Sequence, residues 1–174
     1  GGQVEITSGE VTSGDFTHAG VLTVTGGTLD INGNYTSSGN VTANINGGTI
    51  EIAGDWDGTS GSGFDPSGGT VSFNGAAQSI STHASNYFHN LTIGGATNTK
   101  TAASDLVVNG NLLISVGTLD MGSNNYELTI GINTNTNIGS LNISSGASFV
   151  ARGGVHTMNG DWSNSGSFIH NNGT

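Results

Sequence analysis

The segment GGTLDI at residues 26–31 recurs as GGTIEI at residues 47–52 and as GGTVSF at residues 68–73, a spacing of 21 residues each time. A second signature consists of Gly, then Asn or Asp, then in most copies an aromatic residue. Its copies lie at residues 14–16, 33–35, 54–56, 110–112 and 160–162. An internal repeat of this length over nearly the whole chain is typical of a solenoid, in which each repeat forms one coil.

The apolar residues of each repeat stand two apart, as in Leu29 and Ile31 or Ile50 and Ile52. This alternation predicts short strands with two side chains directed inward and one outward. The Gly, Asn and Asp residues between the pairs accept the positive-φ conformations that sharp corners require. We therefore expect an all-β, right-handed parallel β-helix (β-solenoid) with three faces. It should form a single segment over residues 1–174, with about eight coils of roughly 19–25 residues.

A 21-residue period places equivalent residues of successive coils above one another. Ile31, Ile52 and Phe73 should therefore form one apolar column in the interior. The aromatic residues of the second signature, Tyr35, Trp56 and Trp162, should form another, because large aromatic side chains usually fill a core. An exposed aromatic platform for carbohydrate is the alternative.

The composition and charge exclude several classes of function. Gly, Asn, Ser and Thr make up over half of the chain, only 8% of residues are charged, and the net charge is −10. Lys100 and Arg152 are the only Lys and Arg residues, so the chain lacks the basic patch that nucleic acids or anionic membranes would need. The chain contains no Cys and no apolar run as long as a membrane span of about 20 residues.

The repeat G-G-T-Φ-x-Φ-x-G-[DN]-[WY], where Φ is apolar, resembles the repeats of large bacterial surface proteins of the haemagglutinin and autotransporter-adhesin kind. The likeness extends over about three quarters of the chain, through residues 78–80, 87–93, 106–112 and 117–120. It implies a passive, extracellular role as an adhesin, fibre or stalk. We therefore expect a non-catalytic structural or adhesive rod at the cell surface.

Two outward rows are candidate binding sites. Thr28, Thr49 and Thr70 should form a ladder along one edge of the rod, for which cross-strand packing is a better interpretation than ice binding. Asp30 and Glu51 should lie one coil apart, and like charges placed so close favour a screening cation. With Asp55 they form a hypothetical Ca²⁺ site, since Ca²⁺ prefers carboxylate oxygens. The alternative is a pair of solvated carboxylates, and a second acidic loop comprises Asp55, Asp57 and Asp65.

Catalysis is not expected, and neither is any cofactor other than Ca²⁺. The alternative function is a polysaccharide-binding or polysaccharide-degrading β-helix, for which Asp55 and Asp57 are the candidate carboxylate pair. Lys100 and Arg152 stand isolated among neutral residues, whereas lyases of this architecture generally use such cations. The five His residues show no metal-binding spacing.

The ends of the rod predict its partners. The sequence opens inside the repeat, with Val4 and Ile6, and it closes shortly after Trp162 and Phe168 without a capping segment. A parallel solenoid exposes unpaired strand edges on its first and last coils. We therefore expect the rod to continue, either through flanking repeats of a longer chain or through head-to-tail stacking of copies. Surface carbohydrate is a further candidate partner.

Overall fold

The computed structural model describes residues 2–131 and 138–174, and these residues form strands joined by tight corners, with no helix among them. Three strands in sequence make one coil. The strands are β1 (Gln3–Ile6), β2 (Glu10–Ser13), β3 (Phe16–His18), β4 (Val21–Val24), β5 (Thr28–Ile31), β6 (Tyr35–Ser37), β7 (Thr42–Ile45), β8 (Thr49–Ile52), β9 (Trp56–Gly58), β10 (Thr70–Phe73), β11 (Gln78–Thr82), β12 (Asn90–Ile93), β13 (Thr99–Ala102), β14 (Leu106–Val108), β15 (Leu112–Ile114), β16 (Thr118–Asp120), β17 (Leu128–Ile130), β18 (Leu141–Ile143), β19 (Ser148–Val150), β20 (His156–Met158), β21 (Trp162–Asn164) and β22 (Ser167–Ile169).

The strands pair in parallel, coil on coil, and form a β-solenoid of about eight turns. The second face is one sheet in the order β2-β5-β8-β10-β12-β15-β18-β21, and the third is one sheet in the order β3-β6-β9-β11-β13-β16-β19-β22. The first face consists of two shorter sheets, β1-β4-β7 and β14-β17-β20. The prediction of an all-β parallel solenoid is therefore confirmed.

The first face is irregular in the fourth and fifth coils, where residues 59–69 and 83–89 take the place of strands. Backbone hydrogen bonds still link these segments to their neighbours. The N–H of Val41 donates to Ser62 O at 3.0 Å, and the N–H of Tyr87 donates to Phe64 O at 3.1 Å. Phe88 then forms a parallel bridge with Val108. The coil-to-coil stacking is therefore continuous through the irregular region.

Coil lengths vary more than expected. Leu29 pairs with Ile50 at the 21-residue period, but Val11 pairs with Leu29 after only 18 residues. Leu112 pairs with Leu141 after 29 residues. Most of the additional residues lie between the end of β17 and the start of β18, and the others lie between β16 and β17. Differences in length thus fall between strands, and the register of the strands is kept.

The glycines of the first signature are required by the close stacking of the corners. The second Gly of each pair has a positive φ, as in Gly48 at 71°, a conformation that favours glycine. The first Gly lies directly over the corner below, and a Cβ on Gly47 would stand only 2.5 Å from the carbonyl oxygen of Thr25. A side chain at either position would separate the two coils.

The second signature has a hydrogen-bonding role that we name the corner ladder. We give this name to Asp15, Asn34, Asp55 and Asn111 of the signature together with Asn90, which opens β12. In each of them a side-chain oxygen accepts a backbone N–H from the following coil. For example, the N–H of Asp55 donates to Asn34 Oδ1 at 2.8 Å, and the N–H of Ser79 donates to Asp55 Oδ1 at 2.7 Å. Asn and Asp recur at these positions because they satisfy backbone groups that the corners leave out of the sheets.

The interior is a continuous apolar stack. Ile31, Ile52 and Phe73 pair in register on the second face, and none of them is exposed, so the predicted column is present. On the third face Tyr35 stacks on Trp56 with ring centroids 3.7 Å apart. Phe64 and Phe88 pack edge-on against Trp56 and fill the interior where the first face is irregular.

The prediction that Trp162 belongs to the column of Tyr35 and Trp56 is wrong. Tyr35 and Trp56 open strands of the third face, whereas Trp162 opens β21 on the second face and pairs with Leu141. The same three-residue signature occurs both before strands of the third face and before strands of the second face. Because the coils differ in length, the spacing between copies of the signature does not reveal which face follows. Trp162 is 47% exposed, because the described residues place no further coil over it.

Candidate functional site

The threonine ladder is present but short. Thr28, Thr49 and Thr70 pair in register along the second face, each half-buried, and Asn90 takes the next position. Glu10 precedes Thr28 in the same row. A row of three Thr side chains that ends in Glu and Asn is cross-strand packing of the ordinary kind. It does not form an extended array of hydroxyl groups.

The acids proposed for Ca²⁺ do not converge. Asp30 and Glu51 are adjacent in register on the second face, as expected. Glu51 accepts a hydrogen bond from Asn74 Nδ2 at 2.9 Å, while Asp55 belongs to the corner ladder and binds the N–H of Ser79. Within residues 2–131 and 138–174, no group of three or more His, Cys, Asp or Glu side chains could hold a metal ion. The expected cluster of Asp30, Glu51 and Asp55 is therefore absent from the described part of the chain.

The second acidic loop is also dispersed. Asp57 lies on β9, where its Oδ1 accepts hydrogen bonds from the N–H of Thr59 at 3.1 Å and from the Thr59 hydroxyl at 2.6 Å. Asp65 follows buried Phe64 in the irregular part of the first face. Asp55 and Asp57 are thus both engaged with the backbone of corners. Each carboxylate thus has a partner in local structure.

Lys100 is an internal structural cation, which the sequence analysis did not predict. Its side chain points inward from β13, is fully buried, and donates hydrogen bonds to the carbonyl oxygens of Gly75, Gly94 and Ala96 at 2.9, 2.9 and 3.2 Å. Burial lowers the pKa of this amine. Three carbonyl groups of the wide corners between β10 and β11 and between β12 and β13 are thereby satisfied.

The buried side-chain amides of Gln78 and Asn86 also form hydrogen bonds with backbone groups. Gln78 Nε2 donates to Ile52 O at 3.0 Å and its Oε1 accepts the N–H of Gly75 at 3.0 Å. Asn86 Oδ1 accepts from the N–H groups of Gly63 and Phe64, at 3.0 and 3.2 Å, and its Nδ2 donates to Gly61 O at 2.7 Å. The inward phase of Gln78, two residues before buried Ile80, was visible in the sequence. That of Asn86 was not, because no strand surrounds it.

Arg152 has a charged partner, although its neighbours in the sequence are neutral. Its guanidinium forms a two-pronged ion pair with Asp120, 32 residues earlier, in which Nε donates to Oδ1 at 2.7 Å and Nη2 donates to Oδ2. The hydrogen bond from Arg152 holds the pKa of Asp120 below its usual range. Arg152 adopts a positive φ of 59°, so the pair also fixes an unusual corner conformation.

The Asp120→Asn variant should be less stable than the wild type at neutral pH by about 1 kcal/mol, because this pair is partly exposed to solvent. A folded-state pKa below the unfolded value means that the ion pair stabilises the fold above about pH 3.9. The stabilisation is lost as the pH falls through the lower, folded-state pKa. Urea unfolding at neutral and acidic pH should show the two proteins converging in acid. Asp30→Asn is the control, with a change within about 0.5 kcal/mol, and an equal loss in both variants would contradict the assignment.

The two ends of the rod are surfaces on which the described residues place no further coil. The inward residues of the last coil form the C-terminal rung: His156, Met158, Trp162, Asn164, Phe168 and His170. The corresponding N-terminal rung comprises Val4, Ile6, Val11, Ser13, Phe16 and His18, by register with the coil that follows. Trp162 and Phe168 are 47% and 36% exposed and Val11 is 45% exposed, although their register partners are buried. An apolar recess opens at the C-terminal rung.

His18 lies at the opposite end, in the first coil, and is buried. Its Nδ1 lies 2.8 Å from the hydroxyl oxygen of Tyr35, and burial lowers the pKa of the imidazole. Its Nε2 finds no hydrogen-bond partner among the described residues. The contact between His18 and Tyr35 is therefore a buried polar contact between the first and second coils.

Every predicted site residue thus belongs to a strand or a corner, and Trp162 differs from the others in its exposure at the end of the stack. None of the described residues forms a helix long and apolar enough to span a membrane. Comparison of the chain with protein-family models, with curated proteins and with solved structures finds no match.

Proposed function

We propose that this chain is a non-catalytic rod of the bacterial cell exterior, a structural or adhesive element that extends along its axis through its two rungs. The observation that carries the proposal is the exposure of apolar side chains at the C-terminal rung, in rows that are otherwise buried. Each rung is one half of the kind of contact that joins neighbouring coils everywhere else in the molecule. Its partner is a further coil, supplied either by the same chain or by another copy.

The contacts of the outward side chains, the net charge and the composition support a passive role. The carboxylates and amides that face outward hold corners together, as the corner ladder and Asp57 do. The net charge of −10 opposes sideways association of rods, because like-charged surfaces repel. Lysines and cysteines are nearly or wholly missing from the sequence, a composition that suits an extracellular protein. The resemblance to adhesin repeats supports the same location.

The test is the size of the purified 174-residue chain as a function of its concentration, measured by sedimentation. We expect end-to-end association of the wild type. Trp162→Asp should abolish it, because association would then bury a charge in an apolar contact. Val116→Asp is the matched control, since Val116 is 37% exposed at a corner away from both rungs. This control should associate like the wild type.

Wild-type particles whose size does not change with concentration would contradict axial association, above all if the amides of β1–β3 and β20–β22 were protected from hydrogen exchange. Acrylamide quenching gives an independent measurement. Trp162 should be quenched in dilute solution and protected on association, whereas buried Trp56 should stay protected throughout. Specific binding of a polysaccharide that protects Trp162 instead would favour the alternative function.

A further inference from the structure

The irregular segment between β9 and β10 contains the single proline of the chain, Pro66, directly after Asp65. Asp65 is exposed and Pro66 is buried. Tyr87, from the next coil, donates hydrogen bonds to the carbonyl groups of Phe64 and Asp65. Its N–H donates to Phe64 O at 3.1 Å, and its hydroxyl donates to the carbonyl oxygen of Asp65 at 3.1 Å. The carbonyl of the Asp65–Pro66 peptide bond therefore carries a fixed hydrogen-bond donor.

We propose that the Asp65–Pro66 bond is a site of self-cleavage. The side-chain carboxylate of Asp65 attacks its own carbonyl carbon and forms a five-membered cyclic anhydride, and the bond to the Pro66 nitrogen breaks as that nitrogen takes up a proton. Water then opens the anhydride. The products are an Asp65 C-terminus with two carboxyl groups and a Pro66 N-terminus with a secondary amine, and one water molecule is consumed. Carboxylates act as nucleophiles in this way in covalent catalysis.

Tyr87 is placed to stabilise the negative charge that develops on the carbonyl oxygen during the attack. Donors fixed at such an oxygen before the reaction are among the largest contributors to rate in acyl transfer. Burial, and next the charge of Asp65, raises the pKa of Tyr87, so its hydroxyl keeps the proton that it donates.

The leaving nitrogen needs a proton, which His89 or the solvent would supply. Pro66 and His89 line the same small cleft beside β10. An imidazole is the side chain that most often transfers protons in such steps. The nitrogen of a proline amide bears no hydrogen and lies in a ring, so protonation converts it directly into a good leaving group. Asp65 and Tyr87 thus provide a nucleophile and an oxyanion donor at one peptide bond, and His89 lines the cleft beside Pro66.

Cleavage would nick the rod without dividing it. The pieces before and after the bond are joined by two parallel strand pairs, β8 with β10 and β9 with β11. The buried side chains of Ile52 and Phe73 also lie one above the other across the junction. The two products should therefore remain associated under native conditions and separate only in denaturant. This self-modification happens once per chain and does not depend on the proposed function.

The test compares cleavage rates of folded and urea-unfolded chain in the same mildly acidic buffer, with intact mass measured after denaturation. We expect fragments 1–65 and 66–174, formed at least about tenfold faster from the folded chain. Tyr87→Phe should reduce the folded rate to that of the unfolded chain, and Asp65→Ser should abolish cleavage. Tyr126→Phe is the control and should cleave like the wild type, since Tyr126 lies far along the chain and binds Asn124.

A folded chain that cleaves no faster than the unfolded one would overturn the proposal, because an Asp–Pro bond has some lability in any chain. An unchanged folded rate in Tyr87→Phe would overturn it as well. The comparison of folded with unfolded wild type needs no variant, so it decides the matter even if Tyr87→Phe is unstable. Circular dichroism of each variant before the reaction establishes whether it is folded.

Discussion

The Ile52→Asp variant is expected to lose roughly 4 kcal/mol or more of stability and to unfold the coils around it. Ile52 is fully buried between Ile31 and Phe73 in an apolar column. The aspartate would either remain charged in an apolar column or take up a proton and remain polar there. Urea unfolding followed by circular dichroism measures the loss. Hydrogen exchange should show it concentrated in β5, β8 and β10.

Thr49→Asp is the matched control, because Thr49 lies on the same strand with its side chain directed outward. Its loss should stay below about 1 kcal/mol, as for most surface substitutions. Equal tolerance of both substitutions would show that the inward and outward assignment of this face is wrong. Equal damage would mean that the Thr row contributes as much as the core.

The Asn86→Leu variant is expected to lose roughly 3 kcal/mol, because it leaves several buried polar groups without partners. The side chain of Asn86 binds the N–H groups of Gly63 and Phe64 and the carbonyl of Gly61. Each buried group left unsatisfied destabilises a protein by about 1–3 kcal/mol. Leucine has a similar size and no hydrogen-bonding atoms, so the variant isolates this effect. Thermal unfolding gives the total, and hydrogen exchange in residues 59–69 should rise first.

Asn44→Leu provides the comparison, since Asn44 is exposed on β7 and its amide makes one long contact of 3.5 Å with Thr23. Its stability should change by no more than about 0.5 kcal/mol. If Asn86→Leu lost no more stability than Asn44→Leu, ordered water would have to replace the amide. Asn86 would then contribute little to the stability of the irregular segment.

The sequence predicts the strands well because two periods coincide in it. The alternation within GGTIEI fixes which side chains point inward, and the 21-residue spacing fixes which of them meet. The column of Ile31, Ile52 and Phe73 follows from these two facts alone. The same reasoning fails for Trp162, because a short signature does not reveal which of three corners it occupies when coils differ in length.

The polar interior could be predicted only in part. Lys100 stands two residues before buried Ala102, so alternation places it inward, but its charge argued for the surface. Its partners are backbone carbonyls of corners, which no sequence pattern marks. The acids were misinterpreted for a related reason. Asp55 looks like a free carboxylate in the sequence, yet a backbone N–H one coil away is its partner.

The direction of the hydrogen bonds has a mechanical consequence. Strand pairs and the corner ladder all join one coil to the next, so the bonds run along the rod and the chain runs around it. Tension applied to the two ends of the chain would peel one coil at a time from the end of the stack. Each 21-residue coil would release roughly 70 Å of extended chain, against the ~4.8 Å that it occupies in the folded rod. A folded length of about 40 Å would thus become an extensible tether of several hundred ångströms, which absorbs work at a steady force and recoils when the load is removed.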